Sequence, residues 1–169
     1  QPRSRGLGDV YKRQEPWRIR VGDASYMAAS LSPVWDTLLT LLAMQDCEDV
    51  DDAFDRGLEW ILDRQVLETG DWTVKVPGVA PGGWAFEYEN LRYPDIDDTA
   101  VALIVLARLD RAGHRLGARA EAAVQRAVDW VLAMQSSSGG WAAFDKDNDR
   151  AFLTKIPFCD FGEVLDLSL

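Results

Sequence analysis

The sequence has little histidine, cysteine or positive charge, and each shortage argues against a class of function. The one histidine, His114, follows Gly113 near a predicted helix end, which indicates an exposed or capping residue and not a member of a Ser-His triad or a metal site. Cys47 and Cys159 lack metal-like spacing and are typical of free thiols in a reducing compartment. With 28 acidic and 18 basic residues, the net charge of -10 argues against a nucleic-acid partner, which requires a basic surface.

Long apolar runs are also missing. No run approaches the roughly 18 consecutive apolar residues that a membrane-spanning helix needs, and no charged start followed by an apolar core resembles a signal peptide. Apolar residues nevertheless make up 47% of the 169 residues, including seven Trp, six Phe and four Tyr. This composition predicts one domain with a packed interior or an aromatic-lined cavity.

The first 14 residues differ from the rest. Positions 1–14 are basic and aperiodic, and they resemble a translated sequencing adaptor, so we expect the native domain to lie within 15–169.

Two kinds of helix alternate along this domain. Apolar residues spaced three and four apart predict amphipathic helices over 49–64 and 119–131. The segments 38–44 and 100–107 are apolar on every side, which predicts helices buried all round; a strand is the weaker alternative for the second. Asp36-Thr37 and Asp98-Thr99 are expected to cap their starts.

The two pairs of helices form a sequence repeat. Each unit holds a buried helix, an amphipathic helix and a turn that runs from Gln through Gly to Trp. The alternation predicts an all-α fold, part of an α/α helical-hairpin barrel with inner and outer helices. Two hairpins cannot close a ring, so we expect a larger parent protein. The matching positions are Arg56 with Arg126, Trp60 with Trp130, Gln65 with Gln135 and Trp72 with Trp141.

An acidic turn precedes the second buried helix. Asp95, Asp97 and Asp98 place three carboxyl groups in four positions. Like charges at this distance raise at least one pKa, whereas the positive end of a helix favours ionised carboxylates, so the cluster can hold one proton and donate it. The alternative is a solvated turn in which Asp98 is only a cap.

The motifs together resemble a known family. The turns QVLETGDW (65–72) and QSSSGGW (135–141) resemble the Gln-Trp repeat of triterpene cyclases, in which the Gln amide and the indole brace one hairpin against the next. Trp60, Trp72, Trp130 and Trp141 are expected to be such braces. With SPVWDT, PGGWAFEYEN, PDIDDTA and IPFCDFGE in order, the sequence from about 17 to 166 resembles squalene-hopene cyclases.

The resemblance implies a class II terpene cyclase whose catalytic barrel includes 15–169. Such an enzyme protonates an alkene of squalene and yields hopene, or hopanol after capture of water, without a metal or cofactor. Asp97 would be the proton donor, with Asp95 and Asp98 tuning it. The resemblance implies that the aromatic rings of Trp35, Phe86 and Phe144 stabilise cations. Lys155 stands where relatives have a histidine that supports the acids.

The resemblance carries expectations about the parent protein as well. It implies a bacterial enzyme, active also as a lyase on hopanol, that rests as a monotopic protein on the cytoplasmic side of a membrane and forms a homodimer. The 169 residues alone are expected to be inactive, because the cavity lacks walls. Three alternatives stay open: a class II cyclase for a diterpenoid or other polyprenyl substrate, a non-catalytic helical-repeat binding module, and a sugar-active barrel with paired carboxylates.

Overall fold

A computed structural model describes residues 18–27, 31–47, 52–86, 92–111 and 117–148. It divides into two compact units, Gln1–Ser32 and Pro33–Leu169. In the first unit, strands β1 (Arg18–Val21) and β2 (Ala24–Met27) pair antiparallel through a Gly22-Asp23 turn. Gly22 has a φ of +59°, which glycine adopts readily in a tight hairpin turn. The predicted all-α fold class is confirmed for the mostly helical chain, and this small hairpin, whose turn signal is the Gly-Asp pair, is an addition to it.

The described residues of the second unit contain four α-helices, all at positions where the apolar pattern of the sequence predicts them. They are α1 (Pro33–Met44), α2 (Asp52–Asp63), α3 (Ile96–Arg111) and α4 (Ala118–Ala133). A short 3-10 helix spans Asp71–Val74. α1 packs on α2 and α3, and α3 and α2 both pack on α4, so the two hairpins lie side by side. Their shared core is formed mainly by Val34, Leu38, Leu41, Phe54, Ile61, Leu62, Trp84, Ala102, Val105, Leu106, Ala120, Ala123 and Ala127.

The inner helices α1 and α3 are not buried all round, contrary to the prediction. Leu39 is 42% exposed on α1 and Ile104 is 45% exposed on α3. Each of these helices packs mainly against two other described helices, and one apolar side of each is exposed in the described part of the chain. Within the described residues, no helix combines the length and the apolar character that crossing a membrane requires.

Both inner helices begin before their expected caps, α1 three residues before Asp36 and α3 two residues before Asp98. α1 begins at Pro33 and α3 at Ile96, so Asp36 and Asp98 lie inside the first turns. The Thr37 hydroxyl donates a hydrogen bond to the Pro33 carbonyl at 2.6 Å, inside its own helix. At α3 the capping carboxylate belongs to Asp95. The expected caps are wrong because the preceding proline or aspartate already starts the helix.

The two Gln-to-Trp turns make different contacts. The Gln65 amide nitrogen donates to the Gly82 and Ala123 carbonyls at 2.7 and 2.8 Å, and its oxygen accepts two hydrogen bonds from Arg126. This buried side chain thereby links the end of α2 to α4. Gln135, in contrast, donates to Gly139 within its own turn at 2.6 Å.

The tryptophans of the two turns differ in the same way. Trp72 is 3% exposed and its ring meets the edge of Trp130 with centroids 6.1 Å apart. Trp141 is 38% exposed and donates its indole N–H to the Val131 carbonyl at 2.8 Å. The first turn is therefore packed against the following hairpin, whereas the second turn is bonded within its own unit.

Gln65→Leu is expected to lower the free energy of unfolding by about 2 kcal/mol or more, because it leaves buried polar groups without partners. Gln135→Leu, the matched change in the second turn, should cost less than about 1 kcal/mol, because Gln135 is only half-buried and makes a local bond. Denaturant unfolding of the chain followed by circular dichroism checks both values. Equal losses for the two variants would contradict the bracing role of Gln65.

Candidate active site

A short extended segment lies against the start of α3. Trp84 and Asp95 form an isolated antiparallel β-bridge, in which the Asp95 N–H donates to the Trp84 carbonyl at 2.9 Å. The Trp84 indole, fully buried, donates to the Ile61 carbonyl at 2.8 Å near the end of α2. The segment 84–86 is thus anchored to both an outer and an inner helix, beside the acidic turn.

Asp95 is the residue that caps α3. One oxygen of its carboxylate, Oδ1, accepts the Asp98 N–H at 2.8 Å, and Oδ2 accepts the Phe86 N–H at 3.0 Å. Its side chain is buried, at 3% exposure. Burial raises the pKa of Asp95 to about 6, although its hydrogen bonds to Asp98 and Phe86 oppose the rise. The carboxylate of Asp95 is therefore largely ionised at neutral pH.

Asp98, in contrast to Asp95, favours the protonated form of its carboxyl group. Its side chain is 1% exposed, and within the described residues its Oδ1 has no hydrogen-bond partner. Burial, the charge of Asp95 and a hydrogen bond to the Asp95 side chain raise the pKa of Asp98 to about 8, with smaller contributions from Asp97 and Asp36. The raised pKa values favour one shared proton on the buried pair, and the geometry favours Asp98 as its carrier, because Asp95 accepts two N–H groups whereas Asp98 Oδ1 accepts none.

Asp97 lies on the other side of the turn. Its side chain is exposed, in the first turn of α3, between the two buried carboxyl groups in sequence. The reading of this motif as a solvated turn capped by Asp98 is wrong on two points, since Asp95 is the cap and both Asp95 and Asp98 are buried. Across the described ranges, no group of three His, Cys, Asp or Glu side chains could hold a metal ion.

Two of the predicted aromatic residues are tied to this turn through the backbone. Phe86 donates its N–H to Asp95, and Phe144 follows Ala143, whose carbonyl accepts the Ile96 N–H at 2.8 Å. Trp35 lies on α1 next to Asp36, whose charge acts on Asp98. All three rings are half-buried. The fold thus brings the predicted aromatics and acids to one end of the inner helices.

Other predicted positions fall elsewhere. Lys155, His114, Cys159 and the adaptor-like positions 1–14 lie outside the described residues. The sequence pattern indicates only a capping role for Thr99, and it points to no separate role for Trp84 or for the charge of Asp36. For Thr99 and Trp84, the available signal is the closeness of PGGWAF (81–86) and PDIDDT (94–99) in the sequence, which permits the strand-like pairing of Trp84 with Asp95.

The fold and the site define a class of protein. Paired inner and outer helices, with a buried carboxyl pair at the start of an inner helix, are the features of an α/α-hairpin repeat protein that can handle a proton in an apolar setting. Residues 31–169 match the family model described as the squalene-hopene cyclase C-terminal domain. The chain belongs to the squalene-hopene cyclase family.

Relatives in this family come from bacteria and fungi. The chain is 48% identical over 141 residues to a squalene–hopene cyclase of Alicyclobacillus acidocaldarius, a match covering 82% of the chain and 22% of the relative. It is 45% identical over 148 residues to a probable squalene–hopene cyclase of Sinorhizobium fredii, covering 85% of the chain and 22% of the relative. A squalene-hopene cyclase of the yeast Schizosaccharomyces japonicus is 43% identical over 152 residues, covering 84% and 22%.

Two facts follow from these matches. The chain spans about 22% of the length of the curated relatives it matches. The expectation of a bacterial enzyme is weakened, since a fungal relative is nearly as similar as the bacterial ones.

The raised pKa of Asp98 predicts how stability depends on pH. Because the folded-state pKa of about 8 lies above the ordinary value of 3.8, the protonated group favours folding at low pH, and this contribution is lost as the pH rises through 8. The melting temperature of the chain should therefore fall between pH 5 and pH 9. Asp98→Asn, which stays neutral, should melt at least about 4 °C above the unmodified chain at pH 8.

Asp110→Asn is the matched control, because Asp110 is an exposed carboxyl group on the same helix. This variant should keep the fall in melting temperature with rising pH. A thermal melt at each pH, followed by circular dichroism, measures all three proteins. An Asp98→Asn variant that still loses stability like the unmodified chain would contradict the assignment of the proton to Asp98.

Proposed function

We propose that the chain is part of the catalytic barrel of a class II terpene cyclase that converts squalene to hopene, or to hopanol when water captures the final cation. The observation that carries the proposal is the acidic turn, in which two carboxyl groups are buried directly beside Asp97 and burial raises the pKa of both. The relatives' names add the substrate and product.

The proposed first step is a proton transfer from Asp97 to a terminal alkene. The two π electrons of the double bond form the new C–H bond, the adjacent carbon becomes a tertiary cation, and Asp97 becomes a carboxylate. An alkene is a very weak base, so the proton must be transferred in a pocket that water does not enter. Of the three acids, Asp97 is the one whose side chain the turn leaves accessible to a substrate, whereas Asp95 and Asp98 are buried. In this proposal, the remaining walls of the barrel would keep water from Asp97.

The buried pair supports the donor electrostatically in this proposal. Ionised Asp95 and neutral Asp98 place one net negative charge behind Asp97, which stabilises a cation in front of it once the proton has left. Their hydrogen bonds within the turn fix this arrangement before the substrate arrives.

Aromatic side chains would then guide the cation. The ring faces of Trp35, Phe86 and Phe144 can stabilise positive charge without acting as bases that end the cyclisation early. Each successive C–C bond forms from the π electrons of the next double bond. Loss of a proton from the last cation gives hopene, an isomer of squalene, and addition of water followed by proton loss gives hopanol. Elimination of water from hopanol would be the proposed lyase activity.

The remaining expectations about the whole protein are part of the same proposal. Lys155 would support the acids with its ammonium group in place of a histidine, and the whole protein would lie in one membrane leaflet on the cytoplasmic side as a homodimer. These features are motivated by family resemblance and by a substrate that is insoluble in water. Co-sedimentation of the whole protein with phospholipid vesicles, compared with its behaviour in buffer alone, tests the membrane association.

Asp97→Asn is expected to lower turnover of squalene by about 100-fold or more, since it removes the proton donor. The measurement uses the extended protein, meaning the chain continued at both ends to the length of its relatives, with products separated by gas chromatography and mass spectrometry. Asp110→Asn is the control and should keep its turnover, because it lies on the same helix and is exposed.

Several results would overturn the proposal. Unchanged turnover by Asp97→Asn would remove the assigned donor. Turnover of geranylgeranyl diphosphate but not of squalene by the unmodified protein would assign a diterpenoid substrate. Turnover of neither would favour a binding module. Cyclisation of squalene by the 169 residues alone would contradict the expectation that they lack a complete cavity.

A further inference from the structure

We propose that Thr99 is a positioning residue that locks the acidic turn of α3 to the segment 84–86, and thereby fixes Asp95 and Phe86 relative to Asp97. This inference rests on the proposed function for its consequence in catalysis. Its geometric part concerns hydrogen bonds between buried groups of the described chain.

The Thr99 hydroxyl completes a β-bridge that the backbone closes only on one side. The Asp95 N–H donates directly to the Trp84 carbonyl at 2.9 Å. On the other side, the Trp84 N–H donates to Thr99 Oγ1 at 2.9 Å, and the same hydroxyl donates to the Asp95 carbonyl at 2.6 Å. The hydroxyl therefore takes the place of a direct bond from the Trp84 N–H to the Asp95 carbonyl, using both its acceptor and its donor capacity.

The two hydrogen bonds through the Thr99 hydroxyl form a relay from Trp84 to Asp95, and burial makes this relay costly to break. Thr99 and Trp84 are both fully buried, so neither the Trp84 N–H nor the hydroxyl can exchange its protein partner for water without opening the structure. Gly83 shows how closely the two segments approach. A Cβ added at Gly83 would lie 2.9 Å from Thr99 Oγ1 and 2.9 Å from the Pro94 side chain. The backbone before Trp84 thus fits against α3 only because it carries no side chain there.

The relay reaches the acids through Asp95 and Phe86. The Phe86 N–H donates to Asp95 Oδ2, two residues after the amide that Thr99 holds. Movement of Trp84 would therefore remove one of the two N–H groups that stabilise the Asp95 carboxylate, and would shift the Phe86 ring. Thr99 itself is fully buried and acts on the site only through these neighbours.

Thr37 offers a matched control within the same chain. It occupies the corresponding position of the first repeat, 62 residues earlier, and its hydroxyl also donates to the carbonyl four residues before it, Pro33, at 2.6 Å. At Thr99 the hydroxyl additionally accepts the buried Trp84 N–H. Comparing the two threonines separates the relay from the ordinary bond of a threonine to its own helix.

The first test measures geometry and does not depend on activity. Hydrogen–deuterium exchange of the extended protein is followed at the amides of Trp84 and Phe86. Thr99→Val, which keeps the shape of the side chain but lacks the hydroxyl, should exchange about tenfold faster or more at both amides. Thr99→Ser should restore protection, and Thr37→Val should leave both amides protected. Unchanged exchange in Thr99→Val would overturn the relay.

The second test measures catalysis with squalene. Thr99→Val should lower kcat by about tenfold to 100-fold with little change in KM, because a small displacement of reacting groups affects the chemical step more than binding. Thr99→Ser should stay within about threefold of the unmodified protein, and so should Thr37→Val. Loss of kcat in Thr37→Val equal to that in Thr99→Val, or a change confined to KM, would overturn the positioning role.

A further pair of variants covers the case in which Thr99→Val does not fold. Serine and cysteine are similar in size, but a thiol is a much weaker hydrogen-bond donor and acceptor than a hydroxyl. Thr99→Cys should therefore show faster exchange at Trp84 and a lower kcat than Thr99→Ser, and equality of the two would overturn the proposal.

Failure of the proposed function gives a different pattern. In that case the unmodified protein turns over no squalene, while the exchange data still decide whether Thr99 holds Trp84 and Phe86 in place. Failure of the positioning inference alone leaves squalene turnover intact and unaffected by Thr99→Val.

Discussion

The carboxylate of Asp95 accepts the N–H groups of Asp98 and Phe86, and the geometry of the acidic turn depends on these two bonds. One bond starts helix α3, and the other holds an extended segment against it. Because the carboxylate is buried, its negative charge is stabilised by these donors and not by water. Burial and the charge of Asp95 together raise the pKa of Asp98, so one residue caps a helix, joins two segments and favours the protonated form of its neighbour.

The repeat provides the frame for this turn, but its two units are not equivalent in the described chain. Gln65 reaches across to α4, whereas Gln135 bonds to its own turn. Trp72 is buried against the next hairpin, whereas Trp141 is partly exposed. Identical residues thus have different energetic roles, since the surroundings of each turn decide which donors and acceptors are within reach.

Much of the secondary structure could be predicted from the sequence because it depends on local periodicity. Spacings of three and four predict α2 and α4 close to their observed bounds, and the apolar segments predict α1 and α3. Helix starts were predicted less well. Pro33 and Asp95 begin their helices before the expected caps, and propensity alone does not distinguish among several adjacent capping residues.

The residues of the candidate site could be predicted from the sequence, but their arrangement in space could not. Three clustered aspartates at a helix start indicate proton chemistry in any fold, because like charges and a helix dipole act over a few residues. The sequence does not reveal which of them is exposed. That division, with Asp97 outward and Asp95 and Asp98 inward, follows from the rotation of the helix relative to the segment 84–86.

By itself, then, the sequence determined the helical class, the repeat and the identity of the clustered acids, all of which depend on residues close together along the chain. The tertiary structure decided which of these acids are buried and which N–H groups they accept, and the link from Thr99 to Trp84. The physical reason is that burial and hydrogen-bond partners set the free energy of a charge, and both are supplied by segments that are separated in sequence and meet only when the chain folds.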